Sequence, residues 1–176
     1  MSSDKIYKVG RFEKVSYDQF LKDWNSEFGE DNTYYGISAR TAYCELDIPT
    51  RSTCGSAGYD FHSPVPFTLN PGEEIKIPTG IRAFMIDGFV MMIFPRSSLG
   101  FKYRLQLANS VGIVDEDYVY SDNEGHIWIK FVNNGNKRIS IEKGDKIAQG
   151  IFVPFGITFD DKTEETRNGG IGSTGA

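Results

Sequence analysis

The sequence has no long apolar run, few cysteines and histidines, and no excess of basic charge. A membrane-crossing helix needs about 20 consecutive apolar residues, and no stretch approaches that. The opening MSSDKIYKVGRFEK also lacks the apolar centre of a secretory signal, so a cytoplasmic protein without a membrane partner is expected. Cys44 and Cys54 are the only cysteines, and His62 and His126 the only histidines; ten positions between two thiols make no zinc pattern, and reduced thiols are expected. With 19 Lys and Arg against 24 Asp and Glu, the formal net charge is −5. That balance argues against a nucleic-acid polymer as partner and requires any anionic ligand to be held locally.

What remains suits one folded domain, since 39% hydrophobic and 24% charged residues over 176 positions can build a core and are far from a disordered composition. Residues 1–40 form an extension rich in charge and aromatics. Within it Ser16 and Gln19 read as a reciprocal capping box opening a helix, with Phe20, Leu21 and Trp24 on one face and an end near Gly29. That face is expected to dock on the body of the protein, because isolated short helices are marginal.

From residue 41 to 159 the pattern changes to short apolar runs: Tyr43–Ile48, Val65–Leu69, Glu74–Ile77, Ile81–Met85, Phe89–Phe94, Ile127–Val132, Arg138–Ile141 and Lys146–Pro154. Turn signals such as Asn70-Pro71-Gly72, Asp87-Gly88 and Lys143-Gly144-Asp145 separate them, predicting an all-β jelly-roll-like barrel. Residues 160–176 are polar, glycine-rich and aperiodic, the composition of a mobile tail.

Five stretches gather glycine, serine and single charges between the strands: Ala57–Asp60, Pro95–Gly100, Asn109–Tyr118, Gly144–Gln149 and Arg167–Gly175. Arg96, Ser97, Ser98 and Gly100 offer a guanidinium, two hydroxyls and backbone donors at a strand end, which suits phosphate oxygens and equally suits a polar turn. Asp115 follows the apolar run Val111–Val114; partial burial there would raise its pKa and make it a usable general base, although many such aspartates only cap a turn. Both histidines lie in turn-like contexts with no sign of a Ser/His/Asp arrangement, so neither serine is read as a nucleophile. The tail is not a P-loop, because the Gly-Lys-Ser/Thr ending is absent.

These five stretches, in order, resemble the five motifs of the trimeric dUTP diphosphatases from about Cys44 to the C-terminus. The resemblance implies a homotrimer that hydrolyses dUTP to dUMP and pyrophosphate with Mg²⁺. Asp115 would orient and deprotonate the attacking water. Arg96, Ser97, Ser98, Gly100 and Gln149 would lie at the phosphates, Asn109 with the hairpin backbone of Gly112 and Val114 at the uracil edge, and Tyr118 under the deoxyribose. Asp60 and Gln149 would touch the metal only through its waters, with no direct protein ligand. Arg167, Ile171, Gly172, Ser173 and Thr174 would form a lid, and each site would draw on three subunits.

The sequence departs from the family pattern in four places, one being that Arg167 lies one position nearer residue 171 than is usual. Ile171 stands where a phenylalanine commonly stacks on the base, residues 1–40 exceed the family core, and Val119–Glu124 enlarge the uracil hairpin before Gly125. The enlargement is expected to pack on a neighbouring subunit. Two rival functions share the fold: a dCTP deaminase, possibly bifunctional, and a nucleotide-dependent regulatory or interaction protein. Gly112–Tyr118 and the Gly-Ser-Thr-Gly tail favour the diphosphatase.

Overall fold

A computed structural model of the protein describes residues 7–31, 33–165 and 167. In chain order the elements are β1 (Gly10–Lys14), α1 (Tyr17–Phe28), β2 (Thr33–Tyr34), β3 (Ile37–Ser38), α2 (Ala39–Cys44), β4 (Thr50–Arg51), β5 (Tyr59–His62), β6 (Phe67–Leu69) and β7 (Glu74–Pro78). There follow β8 (Ile81–Met85), β9 (Phe89–Pro95), α3 (Ser97–Tyr103), β10 (Leu105–Leu107), β11 (Gly112–Val114), a 3₁₀ helix (Glu116–Tyr120), β12 (Trp128–Asn133), β13 (Ile139–Ile141) and β14 (Lys146–Pro154). The main sheet runs β11-β9-β14-β5-β4, and β10-β12-β7, β13-β6 and β1-β8 complete an all-β, jelly-roll-like barrel.

Alternation of side chains places Phe61, Met91, Ile93, Ile129, Phe131 and Ile147 in one buried core, and the register shift between Lys146 and Ala148 adds Ala148 to it. Gly150 of β14 is closely packed: a Cβ there would stand 3.1 Å from both Met91 Sδ and Phe61 Cε2, so these side chains would have to shift to admit one.

Seven of the eight predicted strands are found, with ends shifted by two residues or fewer. Tyr43–Ile48 is not a strand: Ser38 Oγ accepts from Thr41 N at 3.0 Å, and Ala39 and Ala42 bury one face of α2 in its place. Residues 10–24 are joined to the barrel by strand pairing and by core packing. β1 pairs with β8 from Gly10↔Met85 to Lys14↔Ile81, and Val15, Phe20 and Trp24 belong to the same buried core as the barrel strands.

Helix α1 starts at Ser16 and ends before Gly29, with Phe20 and Trp24 fully buried, one turn apart on the docked face. Its capping is only half local. Ser16 Oγ accepts from Gln19 N at 3.1 Å, but the Gln19 amide donates to Asp23 instead of returning to the cap. Glu124, from the enlarged segment, accepts from Ser16 N at 2.7 Å and from its hydroxyl at 2.6 Å. The enlargement therefore packs on α1 of the same chain. The N-terminal helix and the segment before Gly125 thus hold each other in place.

Candidate active site

The phosphate-type residues gather where β5, β14 and β9 lie side by side. Gln149 is paired in register with Asp60 on one flank and Phe94 on the other, which sets Asp60, Gln149 and the end of β9 in one row. Asp60 is 5% exposed, yet its carboxylate is fully engaged: Oδ2 meets Lys146 Nζ at 2.8 Å and the Ser52 hydroxyl at 2.7 Å, and Oδ1 lies 3.4 Å from Arg96 Nε. Burial pushes this carboxyl up, but the hydrogen bonds from Lys146 and Ser52 and the Arg96 charge outweigh it and hold it below its ordinary value. Arg96 is thus aimed by a buried anion. Gly58 lets the chain pass the Gln149 side chain, because a Cβ there would approach Gln149 Oε1 to 2.6 Å.

Ser97 and Ser98 open α3 and are exposed, and their backbone N–H groups belong to its first turn. The Gly100 N–H is committed inside that helix, donating to Arg96 O at 2.9 Å, so it is not a free donor.

The second group lies at the other end of β9. Gly112, Ile113 and Val114 of β11 face Ile93, Met92 and Met91, so Asp115 leaves the sheet beside the beginning of β9, whereas Arg96 follows its end. At about 3.3 Å per residue, the six positions between the two ends separate them by roughly 20 Å. Gly112 is packed closely, a Cβ there standing 3.1 Å from Ile93 Cβ. Asn109 is exposed in the turn before β11.

Asp115 stands at the N-terminal cap position of the 3₁₀ helix, with its side chain 46% exposed. Its carboxylate pairs with the Arg167 guanidinium, whose Nε also lies 3.2 Å from Asp117 Oδ1. Arg167 thus meets the carboxylates of its own chain. Tyr118 is 6% exposed, with the Arg167 guanidinium carbon 5.4 Å from its ring centroid. Burial pushes the phenol up, against a smaller lowering by Asn123. Beyond Arg167, the expected lid residues Ile171, Gly172, Ser173 and Thr174 lie outside the described residues.

Two expectations change with these contacts. The segment after Asp115 is a 3₁₀ helix followed by turns, and β11 pairs with β9, so no hairpin closes on itself there among the described residues. His62 belongs to strand β5. His126 is fully buried, with Nδ1 2.5 Å from Asp23 and Nε2 accepting from Gly80 N at 2.7 Å. Both of its nitrogens are occupied, so this His–Asp pair activates no serine. Cys44 and Cys54 are free and exposed, and among the described residues no helix is long and apolar enough to cross a membrane. Sequence reading gave no site role to Lys146, Ser52, Asp117 or His126; Lys146 and Asp117 had a visible signal, lying inside the fourth and third stretches.

A dUTPase family model matches residues 45–175, a span that contains all five stretches. The deoxyuridine 5′-triphosphate nucleotidohydrolase of Lactococcus lactis is 44% identical over 134 residues, covering 74% of this chain and 89% of that protein. The protein of the same name from Haemophilus influenzae is 39% identical over 139 residues, with the same two coverages. The crystal structure of dUTPase from Streptococcus mutans superposes with a TM-score of 0.61 at 32% identity, over 84% of this chain and 98% of that one. The dUTPase from phage phi11 of S. aureus, described with a structural Mg(II) ion, has the same fold at a TM-score of 0.56 and 23% identity, over 68% of this chain and 91% of that one. With the matched span holding both the Asp60–Arg96 row and the Asp115 turn, the chain belongs to the dUTPase family.

Proposed function

We propose that the protein is a dUTP diphosphatase that hydrolyses dUTP to dUMP and pyrophosphate, acting in the cytoplasm as a homotrimer with sites shared between subunits. The observation that carries the shared site is the separation of the two groups along β9. A carboxylate acting as general base must come within hydrogen-bond reach, about 2.6–3.2 Å, of its water. Asp115 and Arg96 of one chain, held near opposite ends of β9, do not meet on one phosphorus. A neighbouring copy related by a three-fold axis supplies the missing half of each site, and a third supplies the lid.

In this reading Asp115 takes a proton from water as it attacks the α-phosphorus in line, and no covalent intermediate forms. Arg96, aimed by Asp60, and the Ser97 and Ser98 amides bind the phosphates; Arg167 leaves its carboxylate partners to neutralise charge on the triphosphate. Asn109 and the backbone of Gly112 and Val114 read the uracil edge. Tyr118 sits under the sugar and excludes a 2′-hydroxyl. Ile171, Gly172, Ser173 and Thr174 close over the nucleotide.

No group of three His, Cys, Asp or Glu side chains able to hold a metal occurs among the described residues, and Asp60 is already saturated with donors. Such a donor-poor cleft fits Mg²⁺ carried by the triphosphate and its own waters, with Asp60 and Gln149 touching only those waters. When bound, the ion supplies charge neutralisation at the phosphates.

The reading is tested by pyrophosphate release from dUTP against dCTP, dTTP and UTP, with ammonia release from dCTP as the signature of a deaminase. Shared sites are tested by mixing two inactive chains, Asp115→Asn and Arg96→Ala. Random trimers should regain activity in roughly a quarter of their sites, and no recovery would show that each chain works alone.

A further inference from the structure

The enlarged segment and the N-terminal helix meet behind Tyr118. The tyrosine hydroxyl donates to His126 O at 3.0 Å and accepts from Asn123 Nδ2 at 3.0 Å, so the far end of the ring is fixed from two sides. His126 is itself fixed from two sides. The Gly80 N–H donates to Nε2, which puts the ring proton on Nδ1, facing Asp23 of α1. Asp23 is secured in turn by the Gln19 amide at 2.7 Å, and α1 by Phe20 and Trp24 in the core.

The loop between these residues has little freedom. Gly125 has φ +70°, and a Cβ on it would stand 2.5 Å from Val119 Cα and 2.8 Å from Tyr118 O, so it lies flat on the backbone of the 3₁₀ helix. Glu124, beside it, is held by both donors of Ser16. Tyr118 is thereby the last member of a connected series that begins on the N-terminal helix and ends in a ring beside Arg167 and Asp115.

We propose that Asp23, His126 and Asn123 are positioning residues for Tyr118, and that the N-terminal helix acts through them as a remote determinant of deoxyribose over ribose. The inference rests on the reading of Tyr118 as the residue beneath the sugar. Its physical basis is that excluding one hydroxyl is a steric decision made over a fraction of an ångström, which a ring free to tilt cannot make. A hydroxyl bonded to a fixed carbonyl removes that tilt.

The test is kcat and KM for dUTP and UTP in the full-length protein, with thermal unfolding and oligomeric state measured alongside, in Tyr118→Ala, Tyr118→Phe, Asp23→Ala, Asp23→Asn and Asn123→Ser. Losing one hydrogen bond of the series should lower the dUTP/UTP ratio of kcat/KM about three- to tenfold, through better use of UTP, while kcat for dUTP in Asp23→Ala is retained. Asp23→Asn keeps an acceptor for the His126 Nδ1–H and should restore most of the ratio. Asp23→Ala combined with Tyr118→Phe should fall no further than either alone, since both break the same series.

An unchanged ratio in folded Tyr118→Phe and Asp23→Ala, or an equal loss of kcat/KM for both nucleotides, overturns the positioning role. If Tyr118→Ala alone collapses the ratio in that case, the tyrosine's place under the sugar still stands. An unchanged ratio in Tyr118→Ala removes that placement and this inference together. Should Asp23→Ala fail to fold, Tyr118→Phe and Asn123→Ser decide, because they cut the series at its outer end and leave the His126 ring paired with Asp23 and Gly80.

Discussion

The two ends of β9 are built differently. At one end Asp60 is buried and takes hydrogen bonds or charge from Lys146, Ser52 and Arg96 before any nucleotide arrives. At the other, Asp115 is nearly half exposed, and its cationic partner comes from near the C-terminus. A phosphate grip gains from rigidity, because aiming Arg96 in advance removes an ordering cost from binding. A general base must reach water and give up its own partner, so it belongs where the structure is open. Substitutions at the two ends should therefore fail differently, one in chemistry and the other in stability.

The largest effect is expected at the open end. Asp115→Asn keeps the volume but cannot take a proton, so kcat for dUTP should fall by about 10²–10⁴ while binding of a non-hydrolysable dUTP analogue and the unfolding temperature stay near wild type. Turnover near wild type would remove Asp115 from the mechanism.

At the closed end, Asp60→Asn should cost stability, about 1.5–3 kcal/mol in thermal or denaturant unfolding, because Lys146 and Arg96 lose their buried anion. The same group gives an acid dependence. Its carboxyl titrates lower in the folded protein than in the unfolded chain, so its contribution is complete above the unfolded value and is lost as pH falls through the folded one. Wild type should therefore lose stability through the acid carboxylate range with an extra component that Asp60→Asn lacks. Identical acid limbs in the two proteins would mean that Asp60 is not the anion holding this end.

The smallest effect concerns the lid. Ile171→Phe should tighten binding of the same dUTP analogue by on the order of 1 kcal/mol, about fivefold, as an aromatic face comes to the base. No change in affinity would show that residue 171 does not reach the uracil.

Strands such as β8 and β14 were legible because apolar runs between clear turn signals carry their own boundaries. Tyr43–Ile48 misled because three apolar side chains outweighed the small buried residues Ala39 and Ala42, which decide for a helix. The candidate site residues could be picked out by type, but their distribution over the fold could not. That Asp115 and Arg96 fall at opposite ends of β9 depends on register between segments far apart in the chain, and no local pattern contains it. Likewise the partners of Ser16 and Asp23 lie 108 and 103 positions away.

Those separations also bear on the order of folding. A helix as short as α1 is marginal in isolation, and here the acceptor for Ser16 N arrives only with Glu124. The N-terminal cap of α1 is therefore completed only where the barrel presents residues 123–126. Contacts of such long range form slowly. The capping of α1 thus depends on contacts of long range, and so does the series that ends at the Tyr118 hydroxyl.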